Sequence, residues 1–396
     1  MSFVSEVASI RDASTKEEAL KCAQSLLLHL QSGETQCPSS EILRLQRSFD
    51  CVAKLLPPQK RVAILAFTIK ALGPWDPSHP VGAGSEEAII HVSRVLAQHY
   101  QVTVFAEPPE ASWWSSELSN PRYVHAWTAD DYMGKFEYVV SWRHVHPKGH
   151  KYGKKHYLWL HDAPNATYNV ENVDGIFFLT NDHRQSYLRR NITWNKIPST
   201  ICGNGIFLDA IPPEVPRQAK SCVYASNYSR GLIHLLRCWP SILAAHPTAT
   251  LHVAYGRQTW GNLNEVQLNE IINLLNQPSI TEYGKLNEME LYKLFRRCSF
   301  WTYPYSGFSE TFCITAIKTQ ACGLIPVTTR EAALAETVAP QAYTQNELDV
   351  AQYPQLLLKA MDEEESVDRS VFEDFASTFT WENVVNRWEV LHGEQA

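Results

Sequence analysis

Residues 306–329 read SGFSETFCITAIKTQACGLIPVTT. They follow SFWTYPY at 299–305, a run rich in aromatic residues that predicts a buried strand. Glu310 therefore stands between a strand and a helix, and Thr311, Phe312 and Cys313 are expected to form the first turn of that helix. The N–H groups of a first turn have no partner within the helix, and the helix dipole favours an anion there. In ACGLIPV, Gly323 ends the helix and the chain re-enters the sheet. Strand, turn, helix and strand make one parallel unit of an α/β domain.

The same alternation extends in both directions. On the amino-terminal side of this unit lie KSCVYAS, LIHLLRCWPSILAAHP, TLHVAYG, NEVQLNEIINLLNQ, SITEYG and NEMELYKLFRRC. Further upstream, RVAILAFTI is a continuous apolar run, as in a strand buried on both faces. SEEAIIHVSRVLAQHY reads as an amphipathic helix, followed by the strands QVTVFAE, YVVSW, HYLWLH and GIFFLTN and the helix HRQSYLRRN. Two doubly wound sheets are expected, separated by the proline-rich linker IPPEVPRQAK with Pro212, Pro213 and Pro216. The expected division is a helical segment at 1–58, an α/β domain at 59–210, a second at 211–375 and a closing helix at 376–396. The first segment reads as a helical hairpin, EEALKCAQSLLLHLQ and EILRLQRSFDCVAKLL, stopped by Pro57 and Pro58. It packs on the main body or serves self-association or partner docking.

Composition narrows the class. Hydrophobic residues make up 44% and charged residues 19%, which excludes a disordered chain. A net charge of −7 argues against a nucleic-acid coat. Nine cysteines with no CxxC pair argue against a zinc ribbon or a thioredoxin-type site and suit reduced thiols. No apolar stretch reaches the roughly 20 residues that span a bilayer. MSFVSEVASIRDASTKEEAL lacks a signal-peptide core. A cytoplasmic protein is expected, with peripheral membrane attachment left open.

Other segments carry candidate chemistry. GAGSEE at 82–87 opens a helix after a strand, and Gly84 there lets backbone approach a ligand. Ser226 ends a strand, and Arg230 stands at a helix start, where a guanidinium suits diphosphate oxygens. His161 and Asp162 end the strand LWLHD on its carboxyl side. Residues 144–156, HVHPKGHKYGKKH, carry four His and four Lys and read as a solvated loop, with an acidic acceptor or a membrane surface as the alternative.

Taken together, these landmarks resemble the retaining GT-B glycosyltransferases of the family 4 type, the group that includes sucrose synthase and glycogen synthase relatives. The matching segments are GAGSEEAIIHVSRVLA, LWLHD, ICGNGIFLDAI, SRGL, YGKLNEMELYKLF, ETFCITAIKTQACGLIPV and ALAETV. The resemblance covers the chain from about Arg61 onward. It implies the GT-B fold, two Rossmann-like domains facing a cleft, with acceptor recognition in the first and the donor in the second. It also implies transfer of a hexosyl or pentosyl group from a UDP- or GDP-sugar to a glycan, glycoprotein or lipid-linked acceptor.

The roles implied are specific. Glu310 binds hydroxyls of the transferring sugar, and Thr311, Phe312 and Cys313 hold phosphate through their amides. Arg230 binds the diphosphate, with Ser226 beside it, and Gly84 lets the first domain's loop close on the donor. His161 orients the sugar or the acceptor. No DxD motif occurs, so a metal-independent reaction without a cofactor is expected.

One position departs from the family. In the family signature seven residues separate the first Glu from a second Glu, which holds the ribose; here that second position is Lys318. An ammonium donates hydrogen bonds and accepts none. The ribose then falls to groups near Tyr283 and Leu286, with Lys318 on phosphate or turned elsewhere. The departure motivates an alternative, a non-catalytic protein of GT-B fold that binds nucleotide sugars or glycans. A phosphorylase, an epimerase and a scaffold complete the rival readings.

Overall fold

The computed structural model describes residues 3–56, 59–67, 84–109, 112–164, 168–256, 263–305 and 309–392. Residues 68–83, which include Gly82 and Ala83 of GAGSEE, and residues 306–308 lie outside them.

Among the described residues, the strands form two sheets. The first holds β1 (Arg61–Leu65), β2 (Gln101–Ala106), β3 (Arg122–His125), β4 (Phe136–Trp142), β5 (Gly153–Trp159), β6 (Gly175–Phe178) and β7 (Ser199–Ile201). Their spatial order is β3-β2-β1-β4-β5-β6-β7. The second holds β8 (Ser221–Ala225), β9 (Thr250–Ala254), β10 (Ile280–Gly284), β11 (Phe300–Tyr303), β12 (Ile325–Thr329) and β13 (Tyr343–Gln345). Its order is β10-β9-β8-β11-β12-β13. Pairing is parallel, with Val62 beside Val102 and Tyr138 in one sheet, and Cys222 beside Leu251 and Phe300 in the other. Strand order therefore reverses between β1 and β4, and again between β8 and β11. Such reversals leave a crevice beyond the strand ends, where open α/β sheets take ligands.

Apolar strands dictate this arrangement. β8, β11 and β12 are buried along their whole length, which requires helices on both faces. The helices are set by local signals: Glu265–Leu275 and Glu288–Arg297 each begin with a capping box, Asn264 with Gln267 and Asn287 with Glu290. Val223, Leu236, Trp239, Leu251, Phe295 and Trp301 meet in the core of the second sheet, each fully buried. Burying one such side chain contributes about 1.5–3 kcal/mol.

The chain divides into two compact units. One comprises Met1–Pro77, Ser85–Leu160 and Tyr168–Ile176; the other comprises Ser78–Gly84, His161–Thr167 and Phe177–Ala396. In the first, helices Phe3–Arg11, Lys16–Ser32 and Ile42–Ala53 precede β1. The expected hairpin is thus preceded by a further helix, and Ser39–Glu41 forms a 3-10 turn that leads into the helix Ile42–Ala53. Leu26, Leu30, Leu45 and Phe49 pack with Leu118. Asp50 accepts a hydrogen bond from the Glu117 N–H at 2.6 Å, tying the helices to the segment before β3.

Residues 144–156 are not a solvated loop. Gly149–Tyr152 is a short helix and Gly153 starts β5. His156 is buried, its ring between the Ser141 hydroxyl at 2.8 Å and the Asn172 carbonyl at 2.9 Å. Exposed Lys154 and Lys155 mask the start of a buried strand. No helix among the described residues is long and apolar enough to cross a membrane. All nine cysteines are free thiols.

Candidate functional site

The reversal between β8 and β11 holds a part-buried ion pair of the second unit. The loop after β8 is held by aromatic and amide anchors. The Tyr224 hydroxyl donates to the carbonyl of Asn227 at 2.6 Å and to that of Arg230 at 3.2 Å. Asn227 Oδ1 accepts from the Ser229 N–H and hydroxyl, both at 3.0 Å. Gly231 then adopts φ +94°, and a Cβ there would lie 1.8 Å from the Pro304 carbonyl oxygen. Only glycine permits both the left-handed backbone and that approach. The loop after β8 consequently sits directly on the loop after β11.

This closeness brings Arg230 to Glu310. Arg230 Nη1 lies 3.1 Å from Glu310 Oε2, a charge-assisted contact within one unit. The Tyr303 hydroxyl donates to the same oxygen at 3.3 Å, and the Glu310 N–H donates to the Tyr305 hydroxyl at 2.7 Å. Glu310 is only 6% exposed, so its charge depends on these partners. Burial acts to lower the Arg230 pKa, but the Glu310 carboxylate, together with Tyr303 and Cys313, outweighs it and holds the pKa above its ordinary value. Burial, reinforced by that carboxylate, pushes the Tyr303 phenol well above its usual range.

The segment after Glu310 differs from the expected helical turn. The helix runs Ile314–Ala321, and Cys313 precedes it with φ +59°, ψ +71°. A left-handed residue cannot continue a right-handed helix, so Thr311, Phe312 and Cys313 form an irregular lead-in. The N–H groups of these three residues have no hydrogen-bond partner among the described residues. Their side chains are anchored elsewhere. The Thr311 hydroxyl donates to the His161 carbonyl at 2.9 Å, and Phe312 is buried against the Phe379 ring. Burial raises the Cys313 thiol pKa well above its usual value, so it remains a neutral thiol.

His161 is buried two residues beyond Trp159, the end of β5, and its backbone carbonyl, not its ring, receives the Thr311 hydroxyl. The neighbouring Asp162 carbonyl accepts from His183 Nε2 at 2.9 Å and from the Tyr187 hydroxyl at 3.2 Å. The Leu179 N–H donates to His183 Nδ1 at 3.3 Å, which fixes the neutral tautomer with the proton on Nε2. Gly84 starts the helix Gly84–Leu96, and a Cβ there would come 3.0 Å from the Ile314 side chain. Ser226 follows β8 and is half-buried.

Lys318 and the residues at the end of β10 have other partners than the Arg230–Glu310 pair. Lys318 is 5% exposed, and its ammonium lies 2.8 Å from Glu288 Oε1 and 5.7 Å from the centre of the Tyr292 ring. Glu288 opens the neighbouring helix, so the buried ammonium has found a carboxylate across two helices. Tyr283 is partly exposed, with its hydroxyl 3.0 Å from His252 Nδ1, and Leu286 packs on the core.

One residue was not singled out in the sequence. Arg143 directly follows β4 in the first unit, at the reversal of that sheet, with φ +63°. Its guanidinium lies 4.2 Å from the Trp142 ring centre, donates to the Ser85 hydroxyl and stands 3.4 Å from Glu86. An arginine just beyond the strand YVVSW was the available signal.

No protein-family model and no curated protein sequence matches the chain. Solved structures do. The sucrose-phosphate synthase of Thermosynechococcus elongatus superposes with a TM-score of 0.64 at 14% identity, over 85% of this chain and 98% of that one. A glycosyltransferase from Rickettsia africae gives 0.64 at 14% identity, over 85% and 99%. The lipopolysaccharide outer core galactosyltransferase WaaB gives 0.58 at 11% identity, over 83% and 99%. With two parallel, doubly wound sheets and these neighbours, the chain has the Rossmann-like GT-B fold.

Proposed function

We propose that the protein is a glycosyltransferase that moves a sugar from a nucleoside-diphosphate sugar to a hydroxyl acceptor, with retention at the anomeric carbon and without a metal ion. The observation that carries this reading is the Arg230–Glu310 pair at the strand reversal of the second unit, beside the N–H groups of Thr311, Phe312 and Cys313.

The chemistry follows from charge. The leaving group is a nucleoside diphosphate, and negative charge grows on it as the glycosidic bond breaks. Arg230 and the amides of residues 311–313 supply preorganised positive potential for that charge. Metal independence rests on this supply and on the lack of a DxD motif in the sequence. Glu310 accepts hydrogen bonds from hydroxyls of the transferring sugar, and in their absence Arg230 satisfies its carboxylate. Gly84 and His161 complete the set as the residues that let the loop approach and orient the sugar or acceptor. The ribose is assigned to groups around Tyr283 and Leu286, since Lys318 is engaged by Glu288.

The test is a panel of UDP- and GDP-sugars, with and without glycan acceptors, in excess EDTA. Sugar transfer with the anomeric configuration kept is expected. Binding without turnover of any donor would favour the non-catalytic alternative, and loss of activity restored by manganese or magnesium would contradict the metal-independent step.

A further inference from the structure

A second cluster of charge lies wholly in the first unit, apart from the Arg230–Glu310 pair. Arg61 opens β1, Arg122 opens β3 and Lys135 stands just before β4. They line an open cavity of about 440 Å³ with His125, Asp131 and Tyr132. These basic side chains come from the amino-terminal ends of their strands, opposite the ends where doubly wound sheets usually take substrates.

The three cations are not equivalent. Arg122 is already satisfied, by Glu117 at 2.5 Å, the Tyr132 hydroxyl at 3.1 Å and the Ser115 carbonyl at 2.8 Å. Arg61 and Lys135 have no ion pair among the described residues. Both lie on one ring: the Arg61 guanidinium carbon is 5.9 Å and Lys135 Nζ is 5.3 Å from the Tyr132 centroid. Arg61 Nε is buried with no hydrogen-bond acceptor. A buried N–H without a partner is costly, and two like charges on one ring repel, so an incoming anion would relieve both.

The rim adds a different chemistry. Trp127 is 80% exposed, and its indole is stacked on His125, with centroids 5.3 Å apart and planes 17° apart. His125 itself lines the cavity. An indole this exposed, stacked on a residue that lines the cavity, offers an apolar platform to the C–H face of a pyranose. Asp131, also in the lining, accepts hydrogen bonds from hydroxyls and repels a bare polyanion.

We propose that this cavity binds an anionic saccharide, its acid group on Arg61 and Lys135, its ring face on Trp127 and a hydroxyl on Asp131. The acid is a phosphate ester or a uronate, since the cation pair accepts either. The site is independent of the sugar-transfer reading.

Calorimetric titration of the full chain decides it, with glucose 6-phosphate, digalacturonate, maltose and inorganic phosphate as separate probes. At least one of the two acidic saccharides should bind about tenfold more tightly than maltose and inorganic phosphate, and which one binds identifies the acid. Lys135→Gln and Trp127→Ala should each weaken that binding about tenfold while leaving the melting temperature unchanged. Absence of binding by both acidic saccharides at millimolar concentration would overturn the proposal. So would inorganic phosphate binding as tightly as the sugar phosphate, or undiminished affinity in both variants.

Discussion

Arg230 Nη1 and Glu310 Oε2 stand 3.1 Å apart although 80 residues separate them in the chain. Their meeting depends on Gly231, which lets the loop after β8 rest on the Pro304 carbonyl. A guanidinium and a carboxylate are thereby fixed at one strand reversal.

Replacing Glu310 by Gln keeps the size of the side chain and removes its charge. The fold should survive, because Arg230 retains partial exposure and the Tyr305 contact is made by the Glu310 backbone. Sugar transfer should fall by about 100-fold or more, the scale of losing a charge-assisted contact that strengthens in the transition state. Steady-state rates with the best donor check this, and an unchanged rate refutes the role.

Gly231→Ala tests how the pair is assembled. The added Cβ would meet the Pro304 oxygen at 1.8 Å, with the backbone at φ +94°. A loss of about 2–4 kcal/mol in unfolding free energy is expected, together with weaker nucleoside-diphosphate binding. Guanidinium unfolding and calorimetry on the same variant measure both.

Lys318→Glu would place a carboxylate where an ammonium now sits 2.8 Å from Glu288. The site is buried at Lys318, but Glu288 is 41% exposed, so part of the repulsion is screened by water. Destabilisation of about 2 kcal/mol is expected. Lys318→Met, which keeps the apolar stem near Tyr292, should cost less. Chemical unfolding of the two variants gives the comparison.

Acid should weaken the fold through two histidines. Burial pushes the pKa of His156 and of His183 from 6.5 down to about 4. Between those values the unfolded chain binds more protons than the folded one, so stability rises with pH. The contribution is complete above about pH 6.5 and is lost as pH falls toward 4. Each histidine adds at most about 1.4 kcal/mol per pH unit in that window. Unfolding midpoints measured from pH 4 to 7 should show this slope, and His183→Gln should reduce it.

Much of the fold was legible because long apolar segments with clear periodicity leave few alternatives. RVAILAFTI and KSCVYAS became β1 and β8, and the capped segments NEVQLNEIINLLNQ and NEMELYKLFRRC became helices. The short strands β3, β7 and β13 carry too few residues for a pattern. The left-handed backbone at Cys313 was invisible because cysteine carries no signal for it, whereas glycine would have. The partner of Lys318 lies 30 residues away on another helix, and ion pairs between elements leave no local spacing to read. Arg143 was missed for a similar reason, since only the strand order of the first sheet shows that the end of β4 borders a reversal.

The central claim is that Arg230 and Glu310 form the diphosphate and sugar ends of one donor site. Calorimetric titration of UDP and GDP into the wild-type chain and Arg230→Ala tests it most directly. Loss of a hydrogen bond to a charged group predicts a dissociation constant weakened by about 10- to 150-fold, or roughly 1.5–3 kcal/mol, for the nucleotide that binds. Equal affinity in the two proteins would contradict the account.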